Sequence, residues 1–148
     1  MTLHEITLVP ASVPASATFR EAATVLGESG LPAIAVLDPD KRVVGLFTDI
    51  DVLRGLFPSY LGELRHTTFI PDDAESLTRR ANEVAVEPVK LHTRKPHELE
   101  LETSTTHAAE RFLHCEEGAI PVVEDGRFVG MLARAELALA MLRRRTET

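Results

Sequence analysis

The chain has 148 residues, enough for one domain or two small ones. Apolar residues make up 44% and charged residues 26%, a balance that excludes general disorder, because there is apolar surface to offset the ordering entropy. A net charge of −7 argues against a polyanion partner, since the one compact basic cluster, Arg143-Arg144-Arg145, suits the negative pole of a terminal helix.

No nucleic acid is therefore expected as a partner. No run of about eighteen apolar residues exists, so no membrane span is expected either. The start, Met1-Thr2-Leu3-His4-Glu5, lacks the basic and apolar regions of a signal peptide. With Cys115 the only cysteine, no intrachain disulfide or four-cysteine zinc site is possible, and a cytoplasmic location is expected.

In chain order, Phe19, Ala22, Ala23 and Leu26 fall on one face of an amphipathic helix. Ala33-Ile34-Ala35-Val36-Leu37 is a continuous apolar run of the kind found in buried strands. Asp38-Pro39-Asp40-Lys41 reads as a turn, because Pro presets φ, and Val43 to Phe47 as the returning strand. Gly45 inside that strand implies that another backbone or a ligand comes close. Asp49 to Phe57 forms a helix.

The stretch from Pro58 to about Pro96 is too long for a plain connector. Tyr60 to Leu64 suggests a helical turn. Pro71-Asp72-Asp73-Ala74-Glu75 reads as a helix start with acids at the positive pole, giving a helix from about Asp73 to Val84 that Glu87-Pro88-Val89 ends.

The first pattern then returns. Thr18–Asp38 aligns with Ser104–Glu124 at an offset of 86, and Asp40–Phe57 with Asp125–Leu142 at an offset of 85. Ala33-Ile34 matches Ala119-Ile120, and Val44-Gly45 matches Val129-Gly130. Thr105, Ala108, Ala109 and Phe112 repeat the helix face; Ala119 to Val123 and Phe128 to Leu132 repeat the strands; Arg134 to about Arg145 repeats the last helix. A half of this size has little core of its own. Two halves packed sheet to sheet bury one shared core, so the repeat predicts a pseudo-twofold pair of halves.

Gly45-Leu46-Phe47-Thr48-Asp49-Ile50-Asp51 carries Gly-apolar-apolar-Thr-x-x-Asp at the opening of a helix. With the element order found twice, it resembles the cystathionine-beta-synthase (CBS) domain, and the two copies resemble a tandem CBS pair, or Bateman module. The resemblance implies an α/β (α+β) fold of two β-α-β-β-α repeats about a pseudo-twofold axis. Residues 1–57 would be repeat 1, residues 58–88 a helical inter-repeat linker and residues 89–148 repeat 2. It also implies a regulatory module that senses an adenosine-containing ligand in a cleft between repeats, and a homodimer paired through helices that acts on a regulated protein. Asp51 would hold the ribose hydroxyls with Thr48 beside it, and Ala33 and Ile34 would line the adenine pocket.

The residues alone support two roles for Thr48-x-x-Asp51. A carboxylate has acceptor oxygens for both hydroxyls of a vicinal diol, and a helix N-terminus offers free N–H groups. The same residues also form a capping box, which needs no ligand. In the second copy, Ala133 and Glu136 stand at these positions. Alanine has no hydroxyl and glutamate is longer by a methylene, so the second site is expected to be degenerate.

The strands Leu31 to Leu37 and Gly118 to Val123 carry no base, which leaves Arg54 and His114 as the nearest candidates to meet a phosphate. AMP, adenosine or S-adenosylmethionine is therefore expected rather than ATP, with no cofactor required. A ligand-free dimerisation or protein-interaction module is the alternative.

Enzyme signatures fail in turn. Gly27-Glu28-Ser29-Gly30 is a helix terminus rather than a nucleophile elbow, and phosphate-loop and dinucleotide fingerprints are missing. His107 and His114 stand seven apart on a helix, about 10 Å along its axis, too far to share a metal ion. Cys115 lacks a base partner and reads as a structural thiol. Catalytic and metal roles are assigned to no residue.

Overall fold

The computed structural model describes residues 1–57 and 74–146. The first unit contains β1 (Ser12–Pro14), α1 (Phe19–Ser29), β2 (Ala33–Leu37), β3 (Val43–Thr48) and α2 (Asp49–Leu56). Next comes α3 (Ala74–Ala85). The second unit contains β4 (Leu99–Glu100), α4 (Thr105–Leu113), β5 (Ala119–Glu124), β6 (Arg127–Ala133) and α5 (Arg134–Thr146). Each unit is β-α-β-β-α, the mixed α/β order expected. The expected helix near Asp73 is α3, ended at Glu87-Pro88 by a bond from the Glu87 N–H to the Val84 carbonyl. The expected turn at Tyr60 to Leu64 lies outside the described residues.

Each sheet has three strands, ordered β1-β2-β3 and β4-β5-β6, with the first pair parallel and the second antiparallel. A register shift falls between Val36 and Leu37 in one unit and between Val122 and Val123 in the other, so the irregularity repeats with the sequence. The caps repeat too. Thr18 Oγ1 accepts from the Glu21 N–H at 3.2 Å, and Ser104 Oγ accepts from the His107 N–H at 3.1 Å. Each satisfies a donor that the first turn leaves unpaired.

The interior forms two apolar clusters rather than one. The first takes β2, β3 and α1, and adds Ala119, Val123 and Met131 from the second unit. The second gathers Ile120, Val122, Leu132, Ala108 and Phe112 around α4 and α5. Strand β5 splits by its period of two: Ala119 and Val123 face the other unit, Ile120 and Val122 face their own helices. Pro32 and Gly118, equivalent in the repeat, meet across the dyad, where a Cβ on Gly118 would lie 2.8 Å from Pro32 Cγ.

The segment leading into each unit packs on the other unit. Leu3 donates its N–H to the Thr103 carbonyl, and Thr105 donates to the Met1 carbonyl. The equivalent pair, Val89 to Ala17 and Phe19 to Glu87, ties the start of the second repeat to the first. Farther along, Val9 exchanges two backbone bonds with Met131 on β6, and Arg94 exchanges two with Leu46 on β3. Single 3-10 turns, Leu3–Glu5 and Val89–His92, precede these crossings. Gly45 and Gly130 sit beneath them. A Cβ on Gly45 would lie 2.9 Å from Thr93 Cβ, and one on Gly130 would lie 2.7 Å from Leu8 Cβ. The close approach that a strand glycine implies is therefore to the partner unit's leading segment.

Candidate functional site

Strand β3 ends at Thr48, which stays extended while α2 begins at Asp49. Thr48 Oγ1 accepts from the Asp51 N–H at 3.2 Å. The Thr48 N–H and hydroxyl both donate to Asp51 Oδ2, at 2.9 and 2.8 Å. This reciprocal capping box forms because the chain turns from strand to helix with Thr and Asp three apart. Both side chains are buried.

The partner of Asp51 is Arg94, remote in sequence. Its Nη2 donates to Oδ1 at 2.8 Å and its Nε to Oδ2 at 3.3 Å, a two-pronged contact. On its other side Nη1 lies 3.5 Å from Glu117 Oε1, and His97 Nε2 lies 4.0 Å from Glu117 Oε2. Arg94 thus joins a carboxylate of the first unit to one of the second. The hydrogen bond to Asp51 holds the guanidinium pKa above its ordinary value; burial opposes this, and the charges of Asp51 and Glu117 add to it. The Leu46–Arg94 backbone pairing delivers this side chain to α2. Composition and spacing carry no signal for it.

A cleft of about 660 Å³ lies on the dyad, with walls from both units. Equivalent residues face each other across it: Pro32 and Gly118, Thr48 and Ala133, Asp49 and Arg134. The helix starts are fixed alike, the Asp49 N–H on the Pro32 carbonyl and the Arg134 N–H on the Gly118 carbonyl, both at 3.0 Å. Three bases, Arg54, Arg94 and Arg134, line the cleft with three acids, Asp49, Glu116 and Glu117. Asp51 itself lines not this cleft but a smaller cavity of about 420 Å³, with Arg54, Phe57, Leu91 and Thr93.

The structure brings Thr48 and Asp51 together. It places Ala33 and Ile34 elsewhere: both are fully buried in β2, opposite Thr48 and Phe47 in the sheet register, and the cleft is walled instead by Leu31 and Pro32. Arg54 lines the cleft, whereas His114 caps α4 beside a surface cavity with Glu98, Glu100, His107 and Glu110. Ala133 also lines the cleft and Glu136 is half-buried. Their surroundings differ from those of Asp51, because the repeat counterparts of Arg94 and Glu117 are Val9 and Leu31. The polar cluster is built once.

Cys115 is half-buried, its Sγ 3.7 Å from the Glu117 carbonyl, and burial pushes the thiol pKa above its ordinary value. Among the described residues no three His, Cys, Asp or Glu side chains are placed to hold a metal ion, and no helix is long and apolar enough to cross a membrane.

The profile of the CBS domain family matches residues 5–57 and 86–143. The chain is 28% identical over 137 residues to the chloroplastic CBS domain-containing protein CBSX1 of Arabidopsis thaliana; the match takes in 88% of this chain but 58% of that relative's length. The structure of the CBS-pair protein CBSX2 from the same plant superposes with a TM-score of 0.74 at 20% identity, covering 98% of this chain and 96% of that one. CBSX2 in complex with AMP gives 0.69 at 21% identity, over 97% and 98% of the two chains. A CBS domain-containing protein from Kribbella flavida gives 0.75 at 18% identity, over 95% and 97%. Two family matches, each on one of the two equivalent units that share a dyad, leave one conclusion: the chain belongs to the CBS domain family and carries two copies in tandem, the arrangement of a CBS-pair regulatory module.

Proposed function

We propose that this CBS pair senses an adenosine-containing ligand, with AMP, adenosine or S-adenosylmethionine preferred to ATP. The observation that carries this reading is the Asp51 carboxylate, fixed by Thr48 at a helix start: Thr48 lines the cleft walled by both units, and Asp51 lines the smaller cavity that shares Arg54 with it. A carboxylate there can accept both hydroxyls of a ribose. The three bases and three acids of the cleft leave it nearly neutral, so a polyphosphate would bring charge that nothing balances. The AMP complex of CBSX2 supports the ligand class. A ligand touching both units regulates by differential affinity: it favours the arrangement of halves that it binds more tightly.

The reading includes a homodimer, a regulated partner protein and a cytoplasmic location. The exposed apolar residues Ile50 and Leu53 on α2 and Leu139 and Leu142 on α5 support pairing through helices. Titration calorimetry with AMP, adenosine, S-adenosylmethionine and ATP tests the site: Asp51→Ala abolishes binding if the assignment holds, and unchanged binding refutes it.

A second reading, a ligand-free dimerisation module, is favoured by a different observation. The Asp51 carboxylate already has partners on both oxygens. A stable dimer by sedimentation, with no thermal shift from any of the four ligands, selects that reading.

A further inference from the structure

We infer that Arg94 is an intramolecular gate on Asp51: its guanidinium occupies the carboxylate that a ligand diol needs, so a diol binds only when Arg94 lets go. The inference deepens the proposed function and rests on its assignment of Asp51 as the diol acceptor.

Most of the acceptor capacity of the carboxylate is committed. Oδ2 takes the Thr48 N–H at 2.9 Å, the Thr48 hydroxyl at 2.8 Å and Arg94 Nε at 3.3 Å. Oδ1 takes Arg94 Nη2 at 2.8 Å. An ionised carboxylate offers about four lone-pair sites, two on each oxygen; Oδ2 is full and Oδ1 keeps one, so two incoming hydroxyls cannot both be taken until Arg94 leaves. The two Thr48 bonds belong to the helix cap, and losing them unravels the start of α2. The two Arg94 bonds are replaceable, because that side chain is a quarter exposed and also lines the dyad cleft. Its main chain is pinned at Leu46, so the guanidinium leaves by side-chain rotation alone.

Glu117, 3.5 Å from Nη1, gives the released cation a place to go. Departure also removes the bridge between Asp51 of the first unit and Glu117 of the second. Ligand entry and loss of the Asp51–Glu117 bridge thereby become one event. Because Val9 and Leu31 replace Arg94 and Glu117 in the other copy, the gate exists once.

The test is calorimetry of the full chain with adenosine, which has the diol and no charge, and with 2′,3′-dideoxyadenosine, which lacks the diol. Arg94→Ala removes the gate, and Arg94→Met keeps the apolar stem should the shorter variant not fold. The expected result is adenosine binding about tenfold tighter or more in the Arg94 variants, since affinity falls with the fraction of open sites, with dideoxyadenosine unaffected. Adenosine binding abolished by Asp51→Asn yet unimproved by either Arg94 variant overturns the gate and leaves the site standing. Equal tightening of both nucleosides also overturns the gate, because the gain then owes nothing to the diol. Binding that survives Asp51→Asn, or no adenosine binding by any of the proteins, overturns the site assignment and the gate together.

Discussion

Replacing Gly130 by Ala tests the crossing of the two leading segments. A Cβ at Gly130 would lie 2.7 Å from Leu8 Cβ and 3.5 Å from the Val9 carbonyl oxygen. Comfortable carbon contacts are about 3.5–4.0 Å, so segment and strand must separate by about 1 Å. Leu8 Cβ is fixed to its backbone and cannot rotate away. The separation therefore strains the neighbouring Val9–Met131 bonds, 3.0 and 2.7 Å long. Overpacking of this kind costs about 1–3 kcal/mol. Removing a strand glycine returns about 0.5–1 kcal/mol, leaving a net loss of about 0–2.5 kcal/mol, centred at about 1 kcal/mol. For a chain of this size the central value lowers Tm by about 3 °C. Gly27→Ala is the control: it lies within α1 with nothing within 4 Å of its added Cβ, and gains about 0.5–1 kcal/mol. Calorimetric melts of both variants decide the matter. A Gly130→Ala protein stabilised as much as the Gly27→Ala control means that residues 8 and 9 do not lie on β6, and the crossed arrangement fails.

Gly45→Ala, the equivalent change against Thr93, destabilises in the same direction, read from the same melts. Thr48→Ala removes the acceptor for the Asp51 N–H and a donor to its carboxylate, and costs about 1–2 kcal/mol by urea unfolding; Thr48→Ser keeps both bonds, loses one buried methyl and costs less, about 0.8 kcal/mol. Cys115 has a raised thiol pKa, so its thiolate fraction at pH 8 lies below that of a free cysteine. Alkylation by iodoacetamide is then slower than for a cysteine peptide, and its rate keeps rising at pH values where the peptide has levelled off.

Much of this molecule is written locally. The apolar runs at Ala33 and Ala119, the helix face of Phe19, Ala22 and Leu26, and the capping residues Thr18, Ser104 and Thr48 all act within a few residues of themselves. The repeat then doubles every such signal, and the elements come out where the patterns put them. The short strands β1 and β4 escape that reading: three and two residues are too few for a period to declare itself.

The candidate site divides the same way. Thr48 and Asp51 are legible because a capping box spans three residues. Arg94 is not, for it reaches Asp51 only through backbone pairing with Leu46, and backbone hydrogen bonds are made alike by almost any residue. Ala33 and Ile34 are apolar positions at the start of a strand, and which face of the sheet meets the cleft depends on how the two units lean together. By itself the sequence determined that two like units exist, what each is built from and which helix start carries a carboxylate. Tertiary structure alone decided that each leading segment crosses to the other unit and that Arg94 arrives at Asp51, because those contacts join residues whose proximity is created by the dyad and is encoded in neither neighbourhood.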